Sequence, residues 1–319
     1  MIRSRLQNKV AGSEFTLPFC AIAAIGLWWL PQKAFDVRCM LGLALCLLTT
    51  CIVMETNARQ HIIRIRTRMM SCVWLMLAAS LSFMHPLGEP LVAAALLLTG
   101  YHLLFRCYQR HQPQLDVFHA FLMLGIGSFC APVMLAMAIP FYLYLAIFLR
   151  ALTRRAFWAG VLGLAVPYWC YAVWSLIIGH SGFPIREHFL LTLYGDVGEW
   201  LQAWQSMSLA AQVSAGVLVL LGIVSIVHYL RTNYDDKIRV RMYLYIYMSQ
   251  TLLLTVFLLL QPVHYQTTMS LLTASASPLI ARHFAISRGV SGTLFFLLSL
   301  LLTAVMATLN LWPGLATLL

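Results

Sequence analysis

Residues 117–149 read VFHAFLMLGIGSFCAPVMLAMAIPFYLYLAIFL, an apolar run that contains one histidine, two glycines and two prolines. As a single helix this run would be about 50 Å long, whereas the hydrocarbon core of a bilayer is about 30 Å thick. Pro132 follows Gly127, Ser128 and Cys130, a place where a helix can end and the chain can reverse. Length alone therefore permits either one long span or two short ones.

The distribution of positive charge favours two spans. With a hairpin in this run, eleven spans are predicted, at 16–30, 38–54, 69–84, 91–105, 115–130, 133–149, 157–178, 209–229, 244–262, 267–281 and 290–310. All but three of the 21 Lys and Arg residues then fall on one side, the exceptions being Lys33, Arg38 and Arg186. A single span would divide them almost equally. Because cytoplasmic loops retain Lys and Arg, we expect the N-terminus in the cytoplasm and the C-terminus outside.

The composition is that of an integral membrane protein. The chain of 319 residues is 61% hydrophobic and 10% charged, with a mean hydropathy of +0.82, whereas globular domains carry roughly 25% charged residues. Apolar stretches recur from residue 16 onward, so residues 1–319 are predicted to form one all-α polytopic membrane domain. The first apolar segment lacks a small-x-small cleavage site and is expected to remain as the first helix. Basic cytoplasmic loops explain the net charge of +11, so no nucleic acid partner is predicted.

Two parts of the map leave alternatives open. Residues 267–281, TTMSLLTASASPLIA, are polar for a lipid-facing helix and contain Pro278, so this helix is expected to be shielded by others or broken. The short spans 115–130 and 133–149 also fit a re-entrant pair, which would leave the later loops on the same sides.

Motifs of soluble enzymes are absent from the sequence. It contains no GxGxxG, GxxxxGK[ST], GxSxG or HExxH pattern. Its eight cysteines include no CxxC pair, and its ten histidines include no pair at helical i, i+3 or i, i+4 spacing. We therefore predict no disulfide framework, no metal site and no cofactor.

The predicted outward loops carry the first set of candidate residues. Asp36 and Glu89 are candidate catalytic bases. The longest loop, 179–208, contains a segment at 189–204 that mixes Leu, Tyr and Trp with carboxylates, as is typical of a helix in the membrane interface. Such a helix could cover a lipid-facing groove; alternatively, these are solvated loop residues with aromatic anchors. Candidate substrate-binding residues are His85, Arg186, Glu187, His188, Asp196, Glu199 and His264.

The predicted cytoplasmic side carries two further sets. The basic segment 55–68, ETNARQHIIRIRTR, is suited to binding lipid phosphates. Alternatively, its positive charges serve only to hold this loop on the cytoplasmic side. Asp116 and His119 share one helix face near the end of a span, and ionisable groups within a membrane domain often have a function. Alternatively, Asp116 is a helix N-cap. The candidate lipid-phosphate-binding residues are Arg59, Arg64, Arg154 and Arg155.

Two portions of the chain, 53–81 and 119–169, resemble a family of uncharacterised multispanning inner-membrane proteins of Bacteroidetes-type bacteria. The shared pattern is an asparagine before basic residues, a glycine-rich span that breaks into a second span, and an Arg-Arg-aromatic turn before a Gly- and Pro-containing helix. The residues that carry it are Asn57, Arg59, Arg64, Arg154, Arg155, Phe157, Trp158, Gly160, Gly163 and Pro167. The resemblance implies a multi-pass protein of a bacterial inner membrane and no particular activity.

The hairpin and the following Arg-Arg loop also resemble the membrane half of polyprenyl-phosphate-sugar-dependent glycosyltransferases, as do the topology and the number of spans. This resemblance implies a polyprenyl-phosphate-linked substrate, an outward base at Asp36 or Glu89, and a lipid groove covered by the loop 179–208. In those enzymes the first outward loop is long and acidic, whereas here it is only PQKAFDV.

These patterns lead to a prediction of function. We expect a protein that handles a lipid-linked or envelope glycoconjugate intermediate, with membrane lipids as partners. The alternatives are a transporter or flippase that uses the polar span 267–281 and the Asp116 region, or a scaffold for a partner enzyme. Many transporters contain two repeated halves, and no internal repeat is evident in this sequence.

Overall fold

The computed structural model of the chain describes residues 10–30, 36–65, 67–178, 200–287 and 290–312. These residues form α-helices and short 3-10 turns, without strands. The α-helices are α1 (Thr16–Trp29), α2 (Val37–Gln60), α3 (Met69–Ala79), α4 (Glu89–Phe105), α5 (Gln114–Cys130), α6 (Val133–Ala136), α7 (Ala138–Ile147), α8 (Arg154–Ile178), α9 (Trp200–Ser206), α10 (Leu209–Thr232), α11 (Ile238–Leu260), α12 (Tyr265–Ile286) and α13 (Val290–Leu311).

Among the described residues, five helices are long and apolar enough to cross a membrane, namely α2, α8, α10, α11 and α13. The apolar helices α1, α3, α4, α5 and the segment Val133–Ile147 are shorter. Each of the eleven predicted spans contains a helix. The chain is thus a helical protein of membrane type, while the number of crossings stays a prediction.

The chain reverses direction within the run 117–149. Helix α5 ends at Cys130, and Ala131 takes extended backbone angles, with φ −140° and ψ 106°. Helix α7 then passes back beside α5: the ring of Phe121 in α5 lies 4.3 Å from that of Tyr142 and 6.1 Å from that of Phe141 in α7. Helices α5 and α7 therefore run antiparallel, and the turn lies where the charge distribution predicts it.

Helix α8 packs closely and in parallel against α5. A Cβ atom at Gly125 would lie 3.1 Å from the carbonyl oxygen of Leu164, and one at Gly163 would collide with the carbonyl oxygen of Phe118. The hydroxyl groups of Ser128 and Tyr168 are hydrogen-bonded across the same interface. Glycine at these positions lets the two backbones approach each other.

Helix α12 is the central helix of the bundle. It packs against α3, α4, α10 and α11, and its residues 268–286 are all buried. Its hydroxyl groups donate to its own backbone, as Thr273 does to Met269 O at 2.8 Å. The Ser277 hydroxyl donates to Ala274 O at 3.3 Å, the carbonyl that Pro278 cannot bond because it lacks an N–H group. Shielding of 267–281 by other helices is therefore confirmed, and the helix is unbroken.

The helix connections meet at two ends of the bundle. At one end, Arg64 Nη1 donates to Asp235 O at 3.3 Å and Gln109 N donates to Leu149 O at 3.0 Å. We call this the basic end; it contains the connections α2–α3, α4–α5, α7–α8 and α10–α11. At the opposite end, Leu87 N donates to Arg38 O at 2.9 Å.

Candidate functional site

The charged side chains of the described residues are concentrated at the basic end. All five ion pairs of these residues lie there, and most of their cations are partly exposed. They are Arg59–Glu55, Arg64–Asp235, Arg106–Asp116, Arg110–Asp116 and Arg282–Asp236. Because arginines outnumber carboxylates at this end, it carries a strong positive charge.

Asp116 is a buried carboxylate held between two arginines. Its oxygens lie 3.3 Å from Arg106 Nε and 2.7 Å from Arg110 Nη1. The N-cap residue of α5 is Pro113, so Asp116 sits inside the first turn, where a negative charge also interacts favourably with the helix dipole. Its predicted role as an N-cap is wrong. Its partners are the two arginines rather than His119, whose ring lies edge-on to Phe118.

The connections α4–α5 and α7–α8 are joined by the hydrogen bond between Gln109 N and Leu149 O. Both connections contain a residue in the left-handed region, Gln109 with φ 52° and Arg150 with φ 50°. Such backbone conformations cost about 1 kcal/mol in residues other than glycine and often mark functional loops. The two touching connections and the first turn of α8 carry five arginines, two of which pair with Asp116. We call them the arginine patch: Arg106, Arg110, Arg150, Arg154 and Arg155.

The four predicted lipid-phosphate residues all lie at the basic end, but they differ in their partners. Arg59 pairs with Glu55 at 2.6 Å, one helical turn away, and Arg64 lies 3.8 Å from Asp235. Arg154 and Arg155 are exposed and form no ion pair among the described residues. They occupy the first turn of α8, where positive charge opposes the helix dipole, so an anion there would be favourable.

Sequence reasoning missed two members of the arginine patch as ligands, namely Arg106 and Arg110. From the sequence these arginines indicate only which side of the membrane their loop faces. The sequence does not show that the connections α4–α5 and α7–α8 are in contact. The spacing of Arg106, Arg110 and Asp116 was the available signal, since residues this close in sequence often pair around a helix start.

The charge distribution had suggested that Arg282 lies in a loop. In the structure it is a buried residue of the central helix α12. Its Nε donates to Asp236 Oδ2 at 3.0 Å, and its Nη1 donates to Thr232 Oγ1 at 3.0 Å. The ring of Tyr229 lies 4.8 Å from its guanidinium carbon. Both charges are almost fully buried, and removing one partner of such a pair typically costs about 3–5 kcal/mol. This pair ties the α10–α11 turn to α12.

The two predicted catalytic acids lie at the opposite end, and both are exposed. Asp36 is the N-cap of α2, and its Oδ1 accepts a hydrogen bond from Arg38 N at 2.9 Å. Glu89 is the first residue of α4. The hydrogen bond from Leu87 N to Arg38 O brings the two segments together. Both acids therefore occupy helix starts, where carboxylates stabilise helices.

His85, a predicted substrate-binding residue, is buried in the connection between α3 and α4. Its ring stacks on Trp28 at 4.3 Å, and its Nε2 donates to Ala79 O at 2.9 Å. Burial lowers the pKa of His85, which favours the neutral ring. The carbonyl of His85 abuts Gly42, where a Cβ atom would not fit. The residue thus fastens the α3–α4 connection to α1 and α2.

The remaining outward candidates are only partly placed. His264 lies half-buried in the turn between α11 and α12. Of the predicted interfacial helix at 189–204, only its end is described, as part of the short helix α9. Arg186, Glu187, His188, Asp196 and Glu199 lie outside the described residues.

The fold and its charges define a class of protein, a helical membrane protein with one strongly basic end. Among the described residues, no three His, Cys, Asp or Glu side chains are grouped so that they could hold a metal ion. No protein-family model, curated protein or solved structure matches the chain.

Proposed function

We propose that this chain is a multispanning protein of the bacterial inner membrane that handles a lipid-linked envelope intermediate and binds its phosphate group at the arginine patch. The observation that carries the proposal is the patch itself, five arginines on two touching connections and the first turn of α8, two of which pair with Asp116. In this proposal the basic end faces the cytoplasm, and the chain crosses the membrane eleven times.

The chemistry of arginine supports phosphate as the ligand. A guanidinium group presents a planar fork of N–H donors that matches two phosphate oxygens. Asp116 fixes Arg106 and Arg110 and removes part of their mutual repulsion. Arg150, Arg154 and Arg155 then remain to bind an anion. An anionic headgroup at a membrane surface attracts each Lys or Arg by about 1 kcal/mol.

Other functions expected from the sequence have less support. The carboxylate of Asp36 already caps a helix, and Glu89 is exposed at a helix start, so helix stabilisation accounts for both positions. A transport pathway along α12 has less support, because residues 268–286 are all buried against neighbouring helices. Lipid binding therefore remains the proposal, and the family resemblances above are compatible with it.

The proposal is tested with the full chain in nanodiscs of neutral phosphatidylcholine. We expect a polyprenyl monophosphate to bind, and the variant Arg154→Gln/Arg155→Gln to bind it about 10- to 30-fold more weakly, since two contacts of about 1 kcal/mol are lost. Arg38→Gln, at the opposite end, is the matched control and should bind like the wild type.

Two further ligands separate the possible sources of affinity. A neutral polyprenol with the same tail should bind poorly if the phosphate is recognised. If phosphatidylglycerol competes as well as the polyprenyl phosphate, the patch recognises anionic lipids in general and the lipid-linked intermediate is excluded as its specific ligand. Equal affinity of the Arg154/Arg155 variant and the wild type would remove the arginine patch from the site.

A further inference from the structure

Two histidines stack on each other beside the buried Asp236–Arg282 pair. The rings of His228 in α10 and His283 in α12 have centroids 3.9 Å apart and are 5° from parallel. Phe295 of α13 covers the other face of His283, at 4.0 Å and 11°. Three helices therefore enclose this pair, and His283 is 6% exposed.

Each of the two rings has a nitrogen without a hydrogen-bond partner. In the part of the chain that the structure describes, Nδ1 of His228 and Nδ1 of His283 are both buried and unpartnered. A neutral imidazole has one donor and one acceptor nitrogen, whereas a protonated ring has two donors. A proton on either ring would therefore need an acceptor that the resting arrangement does not provide.

Among the described residues, the two charged groups that act on this pair are both cations. Arg282 precedes His283 on α12 and lies near both rings, and Arg231 of α10 lies near His228. Helix α13 has no charged residue between Val290 and Leu311. A proton on the pair would thus repel Arg282, and the neighbouring carboxylate, Asp236, is already bound to Arg282.

We propose that His228 and His283 form an intramembrane binding site for a proton, and that proton binding there separates Asp236 from Arg282 and frees the α10–α11 turn. His228 is half-buried and lies one turn before the end of α10, close to the basic end. The freed turn carries Asp235, the partner of Arg64, so the change extends to the α2–α3 connection. Ionisable groups inside a membrane domain commonly have such functional roles.

Hydrogen exchange of the full chain in nanodiscs tests this site. We expect the amide protection factors of residues 232–238, corrected for the intrinsic pH dependence of exchange, to fall about tenfold between pH 7.5 and pH 5.5. The sign follows from linkage: the closed form keeps both rings neutral, whereas a histidine in the open form titrates near its ordinary pKa of about 6.5, so lower pH favours opening.

Three variants distinguish the proton site from general acid instability. His228→Phe/His283→Phe keeps the ring stack and should abolish the pH effect, and His228→Phe alone should reduce it if the double variant does not fold. His111→Gln removes an exposed histidine at the same end and should retain the wild-type effect. Asp236→Asn should be poorly protected at both pH values. A tenfold fall that persists in the Phe variants, or no fall in the wild type, would overturn the proposal.

Discussion

Asp36 and Asp116 are both carboxylates at the start of a helix, and the fold uses them in different ways. Asp36 caps α2. Its position directly before an apolar helix is as typical of an N-cap residue as of a catalytic one. Asp116 pairs with two arginines that are close in sequence. Asp236 and Arg282 are 46 residues apart, and their pairing depends on how α10 and α12 meet. Sequence reasoning did not assign the cap to Asp36 and wrongly offered one for Asp116, because a cap depends on where the helix starts to within one residue. The long-range pair depends on tertiary packing, which the sequence alone does not show.

Replacing the Asp36 cap should lower stability without affecting lipid binding. We expect Asp36→Ala to reduce the free energy of unfolding by about 1 kcal/mol, because the Arg38 N–H group loses its acceptor. Asp36→Asn should restore most of this loss, since asparagine is an equally good N-cap residue. Unfolding of the detergent-solubilised chain measures both. If Asp36→Asn is as unstable as Asp36→Ala, the negative charge rather than the cap is what matters.

Helix positions follow from the apolar runs, while helix packing depends on features that composition does not show. The polarity of 267–281 was enough to predict a helix that is either shielded by others or broken, because hydroxyl groups are costly in lipid. It did not show that α12 is the centre of the bundle, in contact with α3, α4, α10 and α11. The glycines of α5 and α8 were part of a recognisable pattern, and the structure gives them a role as the contact surface of a parallel helix pair.

The contact between α5 and α8 predicts opposite effects for two glycine substitutions. A Cβ atom at Gly163 would collide with the backbone of Phe118, which cannot move aside easily, so Gly163→Ala should destabilise the chain by about 1–3 kcal/mol. A Cβ atom at Gly216 of α10 would meet nothing within 4 Å, so Gly216→Ala should be neutral or stabilise by up to about 1 kcal/mol. Thermal unfolding in one detergent compares them directly. Equal effects of both substitutions would contradict the close packing of α5 and α8.

At the scale of the whole molecule, the described part of the chain has one basic end and one end with few cations. This asymmetry follows from the placement of the turns, since each additional helix reversal moves the next loop to the other end. The hairpin after Cys130 is the decisive reversal, because without it the connections after residue 149 would lie at the opposite end from the earlier basic loops. The sequence predicted this grouping from charge alone, and the contacts Arg64–Asp235 and Gln109–Leu149 are consistent with it.

If the basic end faces the cytoplasm, cysteines introduced there should be protected in intact cells. In a background with the exposed Cys51 and Cys170 replaced by Ser, we expect Leu152→Cys and Tyr234→Cys to react with a membrane-impermeant maleimide only after permeabilisation. Leu87→Cys, at the opposite end, should react in intact cells. Because Lys and Arg resist transfer across the bilayer, the connections α7–α8 and α10–α11 should behave alike. Labelling of only one of them in intact cells would mean that the number of crossings between residues 153 and 233 is odd, and the proposed topology would then have to be redrawn from α8 onward.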